Sequence, residues 1–321
     1  MWRRCGIAFV AVIAVSCAPE RPVSAGPPVA APEAAGECRF LAVGRQGYGD
    51  RATRQVALAM ERVAEQRGGV NFAVLLGDNF YPRGVRDADE RQWESKFESL
   101  YDGRYLRGMP FFAVLGNHDH EGNFEAEMDY AARKRGSGRW RMDGCCYRRD
   151  FGELDGRPLV RIVFVDAVRL HGYGSDGALP REAITRDRQL QLLRAAFAGA
   201  DRPPHWKVVA SHYPARSLTR LNVSAERVMK HLLPVLQELE VDLVLSANDR
   251  FQQILDLPGE PLHVGTNGGG RRIEKIPAAD TPAQLAVPQR GFAMVTLQPD
   301  VLRAELFSAD GEPSGVRERR R

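Results

Sequence analysis

Six apolar runs of strand length recur along the chain: CRFLAVG (38–44), NFAVLLG (71–77), PFFAVLG (110–116), LVRIVFVD (159–166), WKVVASH (206–212) and VDLVLSA (241–247). They are continuous rather than alternating, as in strands covered on both faces. Between them the apolar spacing turns helical, in RQVALAMERVAEQRG (54–68), ERQWESKFESLY (90–101), RDRQLQLLRAAFAG (186–199) and ERVMKHLLPVLQEL (226–239). The last contains Pro234, which predicts a kink. Strand and helix in alternation predict sheets of parallel strands joined by crossover helices. Beyond residue 247 the runs shorten to FQQILDL, LHVGTNGGG, GFAMVTL and VLRAELF, which predict antiparallel strands. No repeat or second linker intervenes, so one domain is expected over 38–312.

The two ends read differently. MWRR followed by CGIAFVAVIAV and SCAPE is an export signal: a basic start, an apolar stretch too short to span a bilayer comfortably, and small residues for cleavage. AVSC (14–17) is similar to the lipobox of bacterial lipoproteins, in which Cys17 would be lipidated over residues 1–17; cleavage without lipid is the simpler alternative. Residues 18–37 are rich in Pro and Ala without apolar periodicity, which suits a tether. The expected location is therefore the bacterial cell envelope, with the membrane as a partner through Cys17. Three cysteines remain beyond the tether, and an oxidising setting permits one disulfide between Cys38 and either Cys145 or Cys146. Residues 313–321, ending in RERRR, read as a frayed basic tail. The 45 basic and 41 acidic side chains are otherwise scattered, with a net charge of +4, so nucleic acid is not an expected partner.

Chemistry-bearing residues gather in the loops after the apolar runs: GDNFYPRG (77–84), GNHDH (116–120), SHYP (211–214) and SANDR (246–250). In this order the chain resembles the calcineurin-like metallophosphoesterases, purple acid phosphatase-like branch, whose pattern runs GDxG, GDxxY, GNH[DE], GHH or a variant, and GHxH. YGD (48–50) and RW (139–140) are also similar to this branch. The resemblance spans nearly the whole chain beyond the tether. It implies an α/β fold, a four-layered α-β-β-α sandwich of two mixed sheets, and two metal ions (Fe, Zn or Mn) that bind phosphate and activate water. By that resemblance Asp78 would bridge the ions, Tyr81 would ligate the first, and Asn117 and His212 the second. His118 would contact phosphate or protonate the leaving group, with Asp119 fixing its tautomer.

Three ligand positions depart from the pattern. Arg45 stands where GDxG has its Asp, and Asn248 and Arg250 stand where GHxH has its two histidines; Ser211, Tyr213 and Ala247 also differ from the motifs. A guanidinium keeps its proton and has no lone pair for a metal. The first ion is accordingly expected to be absent, and at most one divalent metal to bind weakly at Asp78, Asn117 and His212. The two arginines are expected to neutralise Asp78 and, with Asn248, Asn117 and His118, to accept phosphate or a phosphorylated small molecule. Loss of dinuclear phosphomonoesterase activity with a retained anion pocket is the first functional expectation. A phosphoesterase using one metal and a structural interaction module are the alternatives.

Overall fold

In the computed structural model, which describes residues 36–171, 185–198, 203–219, 223–270, 272–276 and 278–321, the apolar runs become central strands. The export signal, Cys17 and most of the tether lie outside the described residues. In chain order, β1 (Cys38–Val43), α1 (Arg51–Gln66), β2 (Phe72–Leu75), a π-helical turn (Glu94–Glu98), β3 (Phe111–Ala113), α2 (Asn117–His120), α3 (Glu125–Ala132) and β4 (Trp140–Arg141) form the first half. There follow β5 (Tyr147–Leu154), β6 (Arg157–Phe164), α4 (Ala167–His171), α5 (Arg186–Phe197), β7 (Trp206–Ala210), α6 (Val223–Glu238) and β8 (Leu243–Ser246). The last are β9 (Gln252–Asp256), β10 (Leu262–Gly265), β11 (Ala279–Thr281), β12 (Gln284–Val287), β13 (Gly291–Leu297), β14 (Val301–Ser308) and β15 (Pro313–Arg320).

Two mixed sheets result. The first has the order β15-β14-β13-β1-β2-β3-β4 and the second β11-β12-β9-β10-β8-β7-β6-β5. β1, β2 and β3 run parallel, as do β6, β7, β8 and β10, so their C-terminal ends point the same way within each sheet. Continuous hydrophobicity follows from having a core on each side. Leu41 and Val43 pack under α1 with Val56, Met60 and Val63, while Phe40 and Ala42 face Val208, Leu243 and Leu245 between the sheets. A third cluster, with Val209, Val244, Leu193, Val228 and Leu232, joins the second sheet to the helices on its far side. Helix, sheet, sheet and helix are thus four layers around three cores. Asp50 starts α1 by accepting the Thr53 amide, and the buried stripe Val56–Met60–Val63 keeps the helix on its sheet.

Several sequence expectations are corrected. The helix over 90–101 is reduced to a short helical stretch with a π-wound turn, and β10, antiparallel to β9 as expected, also pairs parallel with β8. The three cysteines are free thiols because each faces a different hydrophobic cluster: Cys38 between the sheets, Cys145 under the first sheet's helices, Cys146 against the third core. Residues 313–320 are not a frayed tail but β15, which extends the first sheet in antiparallel register with β14. The strand alternates, so Arg317, Arg319 and Arg321 project to one side. There they reach acids of the second sheet: Arg317 meets Asp280 at 2.8 Å, Arg319 Nε meets Asp256 at 2.9 Å, and Arg321 meets both oxygens of Asp242 at 2.7 and 2.8 Å. Arg321 also lies over the Trp206 ring, 4.2 Å from its centroid. The arginine-rich end is a clasp between the sheets.

Each of these pairs is partly exposed and is worth up to about 1 kcal/mol. Replacing Arg317, Arg319 and Arg321 together by Gln is expected to lower the unfolding free energy by about 1–3 kcal/mol at low salt, with a smaller loss near 1 M salt. Denaturant titrations at two ionic strengths check this; a variant as stable as the parent at low salt would show that the clasp carries no load.

Candidate functional site

The loops that leave β1, β2, β3, β7, β8 and β10 converge between the C-terminal edges of the two sheets. They are stitched across the gap by backbone groups. Gly268 N donates to Gly44 O at 2.7 Å, Gly44 N to Thr266 Oγ1 at 3.1 Å, and Arg45 N to Gly77 O at 2.9 Å. Gly77 has φ +83° and a Cβ there would stand 2.7 Å from His212 Nδ1; one on Gly116 would stand 2.2 Å from Asp78 N. Neither position admits a side chain without moving its neighbour. Three non-glycine residues at these strand ends, Arg45 (φ 60°), Asp78 (56°) and Asn248 (63°), hold left-handed backbone, a conformation that costs about 1–2 kcal/mol each.

Asp78 is the centre of the cluster and is 2% exposed. One carboxylate oxygen accepts a short hydrogen bond from the Tyr81 hydroxyl and lies 4.0 Å from Arg45 Nε; the other accepts from the His118 amide at 3.2 Å and lies 3.4 Å from His212 Nε2. Burial drives the Asp78 carboxyl upward, but His212, the Tyr81 bond, His118 and Arg45 outweigh it and leave it below the usual range. Arg45 Nε donates to the Tyr81 oxygen at 3.2 Å, so the phenol receives from Arg45 and gives to Asp78. Burial and the Asp78 charge push the Tyr81 pKa far up, and the phenol keeps its proton. Tyr48 stacks on Tyr81 with ring centroids 3.7 Å apart.

His212 is fully buried; Nδ1 bonds Leu76 O at 2.7 Å, and burial lowers its pKa against the pull of Asp78, which favours the neutral ring with its proton on Nδ1. Its Nε2 lone pair then faces a carboxylate oxygen and has no hydrogen-bond partner. His118 bonds Pro82 O through Nδ1 at 2.7 Å, which leaves Nε2 for a ligand. That carbonyl, not Asp119, sets the His118 tautomer. Asp119 is instead turned inward, accepting the amides of Gly116 at 2.7 Å, Asn79 at 2.9 Å and Phe80 at 3.1 Å. Gly116 is the N-cap of the four-residue helix α2, whereas Asn79 and Phe80 lie in the loop after β2, so this carboxylate ties the two loops together.

Under Asp119 lies a buried polar chain that the sequence reading missed. Gln46 donates to Asn79 at 2.9 Å, and Asn79 donates to Glu127 at 3.0 Å and to Val114 O at 2.9 Å. Burial, then the Asp119 charge, pushes the Glu127 carboxyl well up; burial and Asp78 push Asp119 up to about 7. Both acids are therefore held toward their protonated forms. A second missed pair, His120 with both oxygens of Asp166 at 2.9 and 3.0 Å, ties α2 to the second sheet. Lys96, in the π-helical turn, donates to Tyr81 O, and burial lowers its pKa. Glu127, Asp166 and Lys96 are far from any motif, so no spacing signals them.

The remaining sequence candidates divide. Arg45 reaches Asp78 as expected, whereas among the described residues Arg250 forms no ion pair with it. Arg250 is half-buried and its carbonyl accepts the Glu274 amide at 3.0 Å. Asn117 and Asn248 stand at the strand ends with side chains that make no hydrogen bond among the described residues.

Two ion positions can be tested against these donors. At the first, Tyr81 holds its proton and Arg45 lies within 4.0 Å of Asp78; a divalent ion about 4 Å from the guanidinium would be repelled by roughly 8 kcal/mol at an effective dielectric near 20. The residues do not fit an ion there. At the second, the unpartnered Nε2 of neutral His212 and the facing oxygen of Asp78 fit a single ion, with Asn117 and Asn248 as oxygen donors. Among the described residues no group of three His, Cys, Asp or Glu side chains could hold a metal.

This architecture and donor order are those of the metallophosphoesterases, and the profile of the calcineurin-like phosphoesterase family matches residues 49–247. The chain belongs to that family, and its domain is acid phosphatase-like. Mouse tartrate-resistant acid phosphatase type 5 is 33% identical over 227 residues, 68% of each chain. Purple acid phosphatase 4 of Arabidopsis thaliana is 30% identical over 250 residues, 75% of this chain and 70% of the relative. Among solved structures, GAP50, the anchor in the inner membrane complex of Plasmodium, superposes with a TM-score of 0.74 at 20% identity, covering 88% of this chain and 89% of its own. A purple acid phosphatase from yellow lupin seeds does so with a TM-score of 0.63 at 13% identity, over 89% of this chain and 54% of the lupin chain. Members of the family use a dinuclear metal centre; the expected four-layered fold is confirmed by these neighbours.

The raised Glu127 carboxyl sets a pH dependence. Glu127 holds a proton in the folded state that the unfolded chain releases near 4.5, so its contribution to stability is complete below that pH and declines as pH rises. Glu127→Gln, a neutral isostere, is expected to flatten the decline between about pH 5 and 8, as measured by denaturant midpoints; an unchanged slope would place the proton elsewhere.

Proposed function

We propose that this protein binds phosphate or a phosphorylated small molecule in a phosphatase pocket whose dinuclear chemistry has been lost. The observation that carries this reading is the guanidinium of Arg45, 6% exposed, whose Nε serves Tyr81 while Nη1 is buried without an acceptor. A buried donor left unpaired costs about 1–3 kcal/mol, and more when charged; an oxyanion relieves that cost. The two ions of a working site supply charge, geometry and an acidified water. Arg45 can supply only charge and donors, so it favours binding without making a nucleophile. His118 Nε2 and Asn117 are the neutral groups that would complete the cradle.

The chain is proposed to be exported and held at the bacterial cell envelope by lipid on Cys17, with residues 18–37 as the tether. Nucleic acid is not a proposed partner. A second reading, favoured by the unpartnered His212 Nε2, is a phosphoesterase with one ion held by Asp78, His212, Asn117 and Asn248. That ion would act as a Lewis acid on a phosphoryl oxygen. The third is a structural interaction module, the kind of work that the word anchor describes for GAP50.

Metal analysis, an aryl phosphate assay and phosphate titration of the purified protein separate the three. The first reading expects no tightly bound ion, turnover below about one per second, and a melting temperature raised by millimolar phosphate through mass action. Metal-stimulated hydrolysis that His212→Ala abolishes would establish the second, and a pocket indifferent to phosphate the third. The triple change Arg45→Asp, Asn248→His, Arg250→His is expected to restore metal binding and some hydrolysis. A folded triple variant that binds no metal would mean that the loops no longer hold the ligand geometry.

A further inference from the structure

Asn117 and His118, the neutral groups of the proposed cradle, stand on α2, and α2 is a single turn of four residues. A helix that short does not hold itself; its pose is set by what it is tied to. Its N-terminal end is tied among the first sheet's loops, by Asp119 on the amides of Gly116, Asn79 and Phe80 and by the His118 amide on Asp78. Its C-terminal end is tied to the second sheet. His120 Nε2 faces both oxygens of Asp166 at 2.9 and 3.0 Å, and both side chains are buried, so that nitrogen carries the hydrogen and donates it. Asp166 is itself held twice. Its N–H donates to Gln189 Oε1 at 2.9 Å and its carbonyl accepts from Gln189 Nε2 at 3.2 Å, so a fully buried amide of α5 brackets its backbone. One of its carboxylate oxygens also accepts the Arg169 amide at 3.2 Å, at the start of α4. The residue before it, Val165, donates to Ala210 O at 2.9 Å, which sets Asp166 beside the end of β7, where His212 follows. The frame that carries His212 thus also carries the acceptor for His120.

We infer that His120 and Asp166, with Gln189 behind them, are positioning residues: they fix the turn that carries His118 against the arm that carries His212, across the gap between the sheets. In that pose His118 Nδ1 stays on Pro82 O at 2.7 Å and Nε2 is left for an anion. Glu121, 3.8 Å from the same Nδ1, is the competing acceptor. A turn held by its first-sheet ties alone can rock, exchange Pro82 O for Glu121 or water, and let the ring change tautomer. Displacement by about 1 Å is enough to spoil a binding geometry. The three residues touch no ligand themselves, and their effect passes through His118. The affinity arm of the test below rests on the phosphate-binding reading of Arg45; the tautomer of His118 does not.

The experiment compares the full chain with His120→Phe, which keeps a ring against Phe124 (centroids 4.8 Å apart in the parent) and removes the donor, and with His120→Gln, which keeps a donor near the Nε2 position. His120→Phe/Asp166→Asn, which strands no buried carboxylate, covers the case in which the first variant fails to fold. Three quantities are read for each: the imidazole nitrogen spectrum of His118 in isotope-labelled protein at fixed pH, assigned with His118→Gln; the affinity for inorganic phosphate by calorimetry; and the melting temperature. His120→Phe and the double variant are expected to move the His118 resonances from the Nδ1–H tautomer toward the tautomer average and to weaken phosphate binding at least about tenfold. His120→Gln is expected to keep the spectrum and to hold the affinity within about threefold. A lower melting temperature with an unchanged His118 spectrum and unchanged affinity overturns the inference and leaves a structural tie. Should the parent bind no phosphate while the His118 resonances still move in the variants, the Arg45 reading falls and the positioning role stands.

Discussion

A permanent cation beside a buried carboxylate is the constraint around which this site is built. Asp78 sits at the meeting point of loops from both sheets and is sealed from water, so its charge must be answered from within. Arg45 and the phenol of Tyr81 answer it, with the amide of His118. Arg45 and Tyr81 also block what the family's first ion would need: a lone pair at residue 45, an ionised Tyr81, and a carboxylate oxygen free on that side.

The other side of Asp78 keeps the opposite character. His212 is held in one tautomer by the Leu76 carbonyl and turns a lone pair toward an oxygen at 3.4 Å. Two acceptors facing each other repel, and only a cation, a proton or a water between them removes the tension. The pocket is thus asymmetric, saturated with positive charge toward Arg45 and open to it toward His212. Deeper in the fold, burial pushes Glu127 and Asp119 toward their protonated forms, which limits how much negative charge accumulates beneath Asp78.

The layers and the strand ends were legible in the sequence because cores on both faces force continuous apolar runs, and because the first three runs close on a Gly before a polar loop. Arg45 and Asp78 were legible for the same reason, since a residue at a strand end has few places to go. Arg250 was not, since four residues beyond β8 the chain is free to turn away, and among the described residues no ion pair draws it to Asp78. Glu127 and Asp166 are brought in by tertiary packing from elements without a motif. The end of the chain misled because RERRR has the composition of a solvated tail, while its alternation, charge outward to acids and peptide groups to β14, is that of an edge strand.

The left-handed bends at Arg45, Asp78 and Asn248 have one more consequence. Their shape is imposed by amides and carbonyls of neighbouring loops, and the side chain at each bend contributes little to it. Scaffold and chemistry are therefore separable: the frame can exchange its reactive groups at single codons without being refolded, and it stores the same conformational strain whichever side chain the bend carries.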